Sequence, residues 1–434
     1  MSKVHKVTQR ELPLVGFVGL SHLGLITSTV LSTLGFKTIC FDDNEIMVND
    51  LKSLKTAIVE PKLDVFLKSA SINQSFTNNF DDLKECKVIY VSNDVPTNEL
   101  GISDTRSIKK STLKINKLTK DACIVILSQV NPGFTRAMSG LISNELYYQV
   151  ETLIFGDAIN RSKLPERIII GSFNKEIELN SDLRFILEIY DCPLLVFDYE
   201  SAEFTKISIN AFLASDVALS NTLAEICEVS GANWNEIVSA LKLDRRIGEK
   251  RYLRPGLGIS GGNIERDLNT ISEIANSKGL NSSIIQSITK SNLHQKLWVI
   301  RKLDQLGVLN LENISIGIWG LAYKENTNSI KNSPSLQIIN KLPTKFNIYA
   351  HDPVVKSLNI ENKKLKLVQN PEAILDKVDI LLILTPWSDY KAYARSDLLN
   401  RFSGKIIIDP FQVLDKEFCK LQRIEYLTIG QPSN

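Results

Sequence analysis

The sequence lacks several features that would place it in a specialised class of protein. Its six cysteines are scattered and no two form a CxxC pair, so neither a zinc site nor a disulfide framework is indicated. His294 and His351 have no carboxylates or cysteines clustered around them at ligand spacing, so no metal site is expected. The formal net charge of +2 is too small to favour a nucleic-acid or membrane partner.

Long apolar segments are missing as well. The N-terminal residues MSKVHKVTQRELP are polar, and no apolar run approaches the roughly 18 residues of a membrane span. We therefore expect a cytoplasmic protein. With 434 residues, of which 43% are hydrophobic and 23% charged, the chain is expected to form two or three globular domains.

Short β-branched and aromatic runs alternate with helical patterns at both ends of the chain. The runs are residues 14–18, 37–41, 88–92 and 123–127 near the N-terminus and 314–320, 347–352, 379–385 and 405–410 near the C-terminus. Between about residues 200 and 303 strand signals vanish, and apolar residues recur at helical spacing. This pattern predicts an α/β fold in which two Rossmann-like, doubly wound domains, residues 1–199 and 306–434, are joined by a central helical domain, residues 200–305.

The stretch LVGFVGLSHLGLITSTVLSTLGFKTICFDDN, residues 14–44, resembles a dinucleotide-binding unit. In such a unit Gly19 makes the tight turn, Gly24 permits close helix packing, and the helix N-terminus binds pyrophosphate. Asp42, 18 residues after Gly24, would bind a ribose hydroxyl. Asp42 together with Asp43 would repel the extra phosphate of NADP, which favours NAD. Ser21 replaces the middle glycine of the fingerprint, so this stretch alone leaves a plain strand-turn-helix open.

The stretch SAEFTKISINAFLAS, residues 201–215, places Lys206 and Asn210 four residues apart and therefore on one helical face. Such a pair is often only a solvated helix edge. In a helix this apolar, an inward-facing lysine needs a partner or a shifted pKa, which is how catalytic lysines arise. The asparagine would hold a carbonyl, an alkoxide or an ordered water.

Taken together, these segments resemble the UDP-glucose/GDP-mannose dehydrogenase family from residue 14 to about residue 414. The other matching pieces are VEPKLDVFL (59–67), VPTN (95–98), LSQVNPGFTR (127–136), DRRIG (244–248), PGLGISGG (255–262), GLAYKENTNSIKNSPS (320–335), HDP (351–353) and TPW (385–387). Members of that family oxidise the C6 alcohol of a nucleotide sugar to a carboxylate with two NAD, through a cysteine thioester. The resemblance implies an N-terminal NAD-binding domain, a central dimerisation domain, a C-terminal UDP-sugar-binding domain and a homodimer.

The resemblance also implies roles for individual residues. The implied catalytic residues are Lys206, Asn210, Asp267 and Glu151, with Asn263 at the position of the nucleophile. The implied cofactor residues are Gly19, Ser21, Gly24, Asp42, Thr97, Ser128 and Lys331, and the implied substrate residues are Leu153, Phe155, Arg246, Tyr252, Gly258 and Lys324. Of these, Arg246 would reach the sugar from the partner subunit.

The departures from the family lie in the chemistry. Asn263 aligns with the family's catalytic cysteine, and an amide cannot form a thioester. Ile154 and Phe155 replace an arginine and a glutamate, and Gln129 replaces a threonine after Ser128. The residues tied to hydride transfer from an alcohol therefore largely persist, whereas those that capture and hydrolyse an acyl intermediate are changed.

These departures leave three interpretations open. The sequence favours a two-electron dehydrogenase, in which Lys206 acts as general base or proton relay, Asn210 orients the oxygen and one hydride passes to NAD. The second is the family's four-electron oxidation to a uronic acid, by attack of water with Glu151 and Asp267 assisting. The third is a non-catalytic homologue that binds a nucleotide sugar or NAD. In each, a UDP-sugar is the favoured ligand.

Overall fold

The structure is a computed structural model that describes residues 11–97, 103–358, 364–394 and 400–432. The chain divides into two compact units, Met1–Ser208 and Ile209–Asn434. Residues 1–10, which hold most of the polar N-terminal segment, lie outside the described part. Within that part no helix combines the length and the apolar character needed to cross a membrane.

The first unit contains one eight-stranded sheet. Its strands are β1 (Val15–Val18), β2 (Thr38–Phe41), β3 (Gln74–Thr77), β4 (Val88–Val91), β5 (Cys123–Ile126), β6 (Leu146–Gln149), β7 (Ile168–Ser172) and β8 (Leu194–Asp198). They are ordered β3-β2-β1-β4-β5-β6-β7-β8. The first six run parallel, whereas β7 is antiparallel to β6 and parallel to β8.

Strands β4 and β5 are apolar at every position because both faces of the sheet are covered. Successive residues of a strand point to opposite faces. Val88 and Tyr90 accordingly belong to one buried cluster, and Ile89 and Val91 to another. Such two-sided burial is typical of parallel sheets and explains the continuous apolar runs in the sequence.

Helices fill the connections of the first unit. They are α1 (His22–Thr33), α2 (Glu45–Lys52), α3 (Leu63–Ala70), α4 (Arg106–Leu118), α5 (Phe134–Ser139), α6 (Ala158–Lys163) and α7 (Ser181–Glu188). The next helix, α8 (Tyr199–Ser230), is 32 residues long, and it begins in the first unit and ends in the second.

Helices follow α8 up to residue 305, with no strand among these residues, all of which the structure describes. They are α9 (Trp234–Leu243), α10 (Asn263–Ser277), α11 (Ser283–Lys296) and α12 (Trp298–Gln305). The smaller helices of the second unit are α13 (Pro334–Lys341), α14 (Ser388–Lys391) and α15 (Lys416–Leu421).

The second unit contains a six-stranded sheet in which every described pair is parallel. Its strands are β9 (Ser315–Trp319), β10 (Asn347–His351), β11 (Leu365–Leu367), β12 (Ile380–Ile383), β13 (Ile406–Ile408) and β14 (Glu425–Leu427). The order β11-β10-β9-β12-β13-β14 repeats the order of the first six strands of the other sheet. Both are the 3-2-1-4-5-6 order of the Rossmann fold.

Asp352, directly after β10, closes the turn that follows β9. Its buried carboxylate accepts hydrogen bonds from the backbone N–H groups of Leu321 (2.7 Å), Ala322 (3.0 Å), Val354 (2.9 Å) and Val355 (3.0 Å) and from the indole N–H of Trp387 (3.1 Å). An ionised carboxylate offers about four lone-pair positions, so these donors occupy its capacity.

The fold predicted from the sequence is confirmed: two doubly wound α/β domains are joined by a helical segment. Each of the eight predicted apolar runs contains a strand. The sequence gives no prediction for the remaining strands, among them the reversed pair β7 and β8. The domain boundaries at residues 199/200 and 305/306 stay predictions.

We expect Gly320→Ala to destabilise the second unit by about 3 kcal/mol or more, through strain and overpacking together. Gly320 has φ +101°, and a Cβ there would lie 2.5 Å from the backbone nitrogen of Thr385. All four tryptophans lie in the second unit, so urea unfolding followed by tryptophan fluorescence measures this unit.

Gly307→Ala is the matched control. Gly307 has φ +69°, but a Cβ there would meet nothing within 4 Å, so only the backbone cost of about 1 to 2 kcal/mol remains. Equal losses in the two variants would contradict the steric explanation.

Candidate active site

The turn after β1 brings the start of α1 to the carboxyl edge of the first sheet. A Cβ at Gly19, whose φ is +96°, would lie 2.7 Å from the backbone nitrogen of Asn93, and one at Gly24 would lie 2.1 Å from the carbonyl oxygen of Gly19. The hydroxyl of Ser21, the N-cap of α1, donates to the carbonyl oxygen of Ser92 at 2.8 Å. Glycines at these two positions therefore permit the close turn that places a helix N-terminus where pyrophosphate binds in dinucleotide folds.

Asp42 lies directly after β2, beside this turn. Its Oδ2 accepts the backbone N–H of Leu20 at 2.8 Å, and its Oδ1 accepts that of Asn44 at 2.9 Å. The carboxylate is only half-buried. Two donors leave acceptor capacity on an ionised carboxylate, so Asp42 is able to accept the hydroxyls of a ribose.

Two more of the predicted cofactor residues follow strands of the same sheet. Ser128, after β5, is buried, and its hydroxyl donates to the carbonyl oxygen of Asn93 at 2.6 Å. Thr97, in the segment after β4, forms an isolated bridge with Ser103. The residues present therefore fit NAD, because a close turn, a helix N-terminus and an acidic residue after the second strand meet at the switch point between β1 and β4.

Glu151 begins the loop that follows β6. One of its carboxylate oxygens accepts the backbone N–H of Leu153, and Arg161 holds the loop by donating to the carbonyl oxygen of Thr152 at 2.8 Å. Burial raises the pKa of Glu151 above its ordinary value, although the positive charge of Lys206 and the N–H of Leu153 act in the opposite direction. The loop thus places a carboxyl group within electrostatic reach of the predicted catalytic lysine.

A cavity of about 60 Å³ adjoins this loop. Its lining includes Gln149, Glu151, Leu153, Arg161 and Tyr190. The side-chain oxygen of Gln149 is buried and has no hydrogen-bond partner within the described residues. By volume the cavity has room for about four water molecules.

Helix α8 holds Lys206 and Asn210 one turn apart, on one face, as the sequence predicts. Glu203, which the sequence reasoning missed, is fully buried on the same helix. Its carboxylate accepts the backbone N–H groups of Gly133 (2.6 Å) and Thr135 (2.8 Å) at the start of α5. This pair of bonds fixes the beginning of α8, and with it Lys206, against the segment that follows Ser128.

Within the second unit, Asn210 contacts Asp267. The amide nitrogen of Asn210 donates to Oδ2 of Asp267 at 2.5 Å, and Nε of Arg266 lies 3.2 Å from the other carboxylate oxygen. All three residues are buried. The cation balances the carboxylate, which lets Asp267 hold the Asn210 amide in one orientation.

The glycine loop, residues 255–262, leads into α10, where Asn263 is the exposed first residue. The N–H of Gly261 donates to the carbonyl oxygen of Lys331 at 3.2 Å. A Cβ at Gly262 would lie 2.9 Å from Cε of Lys331. The loop therefore passes directly against Lys331, a predicted cofactor residue.

A further network, also missed from the sequence, fixes the start of α10. Glu265 accepts hydrogen bonds from the buried ammonium of Lys296 at 2.5 Å and from the side-chain amide of Asn332 at 2.6 Å. The hydrogen bonds join α10, α11 and the segment before α13.

Tyr252 lines a larger cavity of the second unit, of about 580 Å³. Lys242, Arg251 and Arg254 also line it, with Glu249 as the one carboxylate among its lining residues. Asp216 pairs with Arg251. A concave site with several cations and an aromatic ring is suited to a ligand with a base and a diphosphate.

The remaining predicted substrate residues lie in different surroundings. Gly258 abuts Asn292, since a Cβ there would lie 2.4 Å from its side-chain oxygen. The ammonium of Lys324 lies 5.8 Å from the centre of the Tyr323 ring. Arg246 is exposed, pairs with Asp244 at 2.7 Å, and is not among the residues that line the cavity of Tyr252.

Comparison with protein families gives three matches, all to models of UDP-glucose/GDP-mannose dehydrogenases. Residues 14–191 match the NAD binding domain, residues 200–294 the central domain and residues 317–416 the UDP binding domain. Curated relatives include the UDP-glucose 6-dehydrogenases of Rickettsia conorii, 30% identical over 430 residues, and Rickettsia typhi, 29% identical over 436 residues. Each comparison covers 96% of this chain and 99% of the relative.

The chain belongs to the UDP-glucose/GDP-mannose dehydrogenase family. Its fold agrees with that of a UDP-glucose dehydrogenase from the hyperthermophilic archaeon Pyrobaculum islandicum, with a TM-score of 0.85, 24% identity and coverage of 98% of this chain and 99% of the other. This nucleotide-sugar dehydrogenase is therefore an NAD-dependent oxidoreductase that acts on a CH–OH group of its substrate.

The two residues of this dehydrogenase that the sequence does not predict, Glu203 and Glu265, share one property. Glu203 bonds to residues about 70 positions away, and Glu265 to residues 31 and 67 positions away. A carboxylate whose partners are that distant leaves no local pattern. The available signal was the position of Glu203 within SAEFTK, one helical turn before the lysine.

We expect Asp42→Ala to weaken NAD binding by the dehydrogenase about 10- to 100-fold, because hydrogen bonds to a charged group contribute about 1.5 to 3 kcal/mol. The matched control is Asp43→Ala, which removes an exposed carboxylate next to it. NADH fluorescence titration measures both affinities, and thermal unfolding separates lost binding from lost folding. Equal affinities in the two variants would contradict the assignment of Asp42.

Proposed function

We propose that this dehydrogenase oxidises a nucleotide sugar, with a UDP-sugar as the favoured class, in a single two-electron step. NAD, when bound, supplies the acceptor for the hydride. The observation that carries the proposal is the arrangement on α8: Lys206 lies within electrostatic reach of Glu151, and one turn later Asn210 is fixed by Asp267.

In the proposed reaction Lys206 takes the proton of the sugar hydroxyl on its Nζ. The C–H bond of the same carbon breaks with its electron pair leaving as hydride, and a C=O bond forms. The carboxyl group of Glu151 stabilises the ammonium that results, since opposite charges attract strongly in a partly buried site. The proton then passes from Lys206 to solvent.

Asn210 stabilises the oxygen that becomes negative as the proton leaves. Its amide nitrogen carries two hydrogens, and Asp267 accepts one of them. We assign the second to the substrate oxygen. A donor that is already oriented costs no reorganisation during the reaction, which is the basis of electrostatic preorganisation.

Asn263 limits the reaction to one oxidation. It lies at the exposed start of α10, where the family resemblance places a cysteine, and its amide cannot capture an aldehyde as a thiohemiacetal. The product would then leave as a keto sugar or an aldehyde. Lys331 would hold the cofactor, and Leu153, Phe155, Gly258, Lys324 and Tyr252 the substrate.

One observation favours the four-electron oxidation to a uronic acid as a second candidate. The cavity lined by Glu151 and Gln149 has room for water beside a carboxyl group of raised pKa. Such water could hydrate an aldehyde, which would make a second hydride transfer possible without a cysteine.

We also propose a homodimer. Phe212, Leu219 and Ile226 are seven residues apart on α8 and are 70%, 57% and 52% exposed. Residues with this spacing lie on one face of a helix. Several exposed apolar side chains on one face are typical of an interaction surface. A second copy of the chain would bury it. By the family resemblance, Arg246 would then reach the sugar of the partner subunit.

The number of hydrides distinguishes the two candidate reactions. We expect one NADH per UDP-sugar consumed and a product 2 Da lighter than the substrate, measured by absorbance and mass spectrometry on a panel of UDP-sugars. Two NADH and a gain of 14 Da would establish the four-electron reaction instead. No NADH with any sugar of the panel would contradict both.

Asn263→Cys tests the assignment of that position. If only the nucleophile is missing, we expect this variant to form some acid, with a second NADH per sugar. Asn269→Cys, which places a thiol on the same helix about one and a half turns later, is the control and should not change the stoichiometry.

We expect Lys206→Met to lower kcat at least 10³-fold, because the proton acceptor is lost while an unbranched side chain only one atom shorter remains. The affinity for NADH should stay within about threefold of the wild-type value. A variant that turned over normally would refute the role of Lys206.

Phe212→Glu should shift the protein from dimer to monomer in size-exclusion chromatography with light scattering, because a charge would be buried at the contact. Ile72→Glu, at a position 90% exposed in the first unit, is the control and should leave the mass unchanged. A wild-type protein that is monomeric at micromolar concentration would overturn the proposal.

A further inference from the structure

Three residues from separate segments of the first unit contact one another beside the cofactor turn. His22 is the first residue of α1, Glu60 precedes α3, and Phe155 lies in the loop that begins at Glu151. The side chain of Glu60 is completely buried, and that of His22 is 14% exposed.

Glu60 holds both the cofactor turn and this loop. Its Oε2 lies 2.9 Å from Nε2 of His22 and accepts the N–H of Gly156 at 3.0 Å, while its Oε1 accepts the N–H of Ala158 at 2.8 Å. Burial raises the pKa of the carboxyl, but the hydrogen bonds from His22, Gly156 and Ala158 outweigh burial and leave the pKa below its ordinary value. The carboxylate is thus ionised at neutral pH, so His22 is the donor through Nε2–H.

The rings of His22 and Phe155 complete a closed set of contacts. Their centroids lie 4.0 Å apart with an interplanar angle of 32°. Glu60 therefore holds His22 by a hydrogen bond, and the Phe155 ring packs on the imidazole. The next residue, Gly156, donates its backbone N–H to Glu60. Displacing either the turn or the loop breaks two contacts at once.

Both segments carry ligand residues. Ser21 and the start of α1 belong to the cofactor turn, and Glu151 and Leu153 belong to the loop that the proposed function assigns to the sugar. A ligand that orders one segment therefore also orders the other. The second ligand then binds to a segment that has already lost its conformational entropy, so it binds more tightly.

We propose that Glu60 is a positioning residue that couples the two binding sites, so that NAD and the nucleotide sugar each bind more tightly in the presence of the other. This inference rests on the proposed function, because it takes the loop from Glu151 to Phe155 as the substrate loop. The coupling is reciprocal, as linkage requires.

The test measures the Kd of NADH on the full-length protein by fluorescence, with and without saturating UDP-glucose. NADH and UDP-glucose do not react with each other, because the cofactor is already reduced. For the wild type we expect UDP-glucose to tighten NADH binding about fivefold or more. In Glu60→Gln an NH₂ group replaces one of the carboxylate oxygens that accept backbone N–H groups, so the connection between the turn and the loop is lost. The ratio of the Kd without UDP-glucose to the Kd with it should then fall to about 1.

Two further variants separate coupling from folding. Phe155→Leu removes the ring contact but keeps Glu60, and should give an intermediate ratio. Glu225→Gln is the matched control, because Glu225 makes the same kind of pair with Nε2 of His294, also at 2.9 Å, but in the second unit. It should keep the wild-type ratio.

Hydrogen exchange provides a readout that needs no sugar. NADH alone should slow the exchange of the amides of residues 153–158 in the wild type and not in Glu60→Gln. If UDP-glucose does not bind, this measurement still decides the coupling, and the panel of UDP-sugars decides the substrate of the proposed function.

The inference is overturned by a wild-type ratio of 1 with both ligands bound, or by Glu60→Gln with the wild-type ratio. A lower melting temperature with an unchanged ratio would show that Glu60 is only structural. Absence of NADH binding to the wild type would contradict the inference and the proposed function together.

Discussion

The hydrogen bond from a backbone N–H after the first strand to an aspartate after the second is the constraint on which both sheets depend. In the first unit Leu20 donates to Asp42, and in the second Leu321 donates to Asp352. Each bond fixes the distance between the ends of two neighbouring parallel strands. The next segment of chain must therefore leave the sheet at one place, and the polar groups of the site gather at that edge.

Buried and half-buried carboxylates extend this constraint from the sheet to the helices. Glu203 ties the start of α8 to the start of α5, Asp267 orients Asn210, and Glu265 pairs with the buried Lys296. A buried charge is tolerated only when it is paired or hydrogen-bonded. Each of these residues is consequently bound to one set of partners, which fixes the positions of the neighbouring segments of α8 and α10.

How much the sequence predicts depends on how local each feature is. Strands such as VIYV and CIVI are predictable because burial on both faces makes them apolar throughout. In β3 the buried Gln74 depends on Ser28 and Thr29, more than forty residues away, so the segment reads as polar. The edge strand β8 is only half-buried and lacks the same signal.

The candidate site follows the same rule. The spacing of Lys206 and Asn210 is a property of one helix, and the turn from Gly19 to Gly24 lies within one motif, so both could be predicted. Glu60 and Glu203 could not, because their partners are 38 to 98 residues distant along the chain. The roles of Asp267 and Asn263 came from the family resemblance and not from spacing.

The hydrogen bonds to the carboxylate of Asp352 bear on how many cofactor molecules the two matching turns can bind. Its five donors leave it no room for a ribose, whereas Asp42 accepts only two hydrogen bonds from the residues that the structure describes. Of these two matching turns, as far as the described residues show, only the one at Asp42 keeps acceptor capacity for the ribose of a dinucleotide. An enzyme that has one cofactor-binding site and removes two hydrides must retain the aldehyde intermediate while NADH dissociates and a second NAD binds. Under the proposed two-electron reaction there is no such waiting period, because the product leaves after the first hydride.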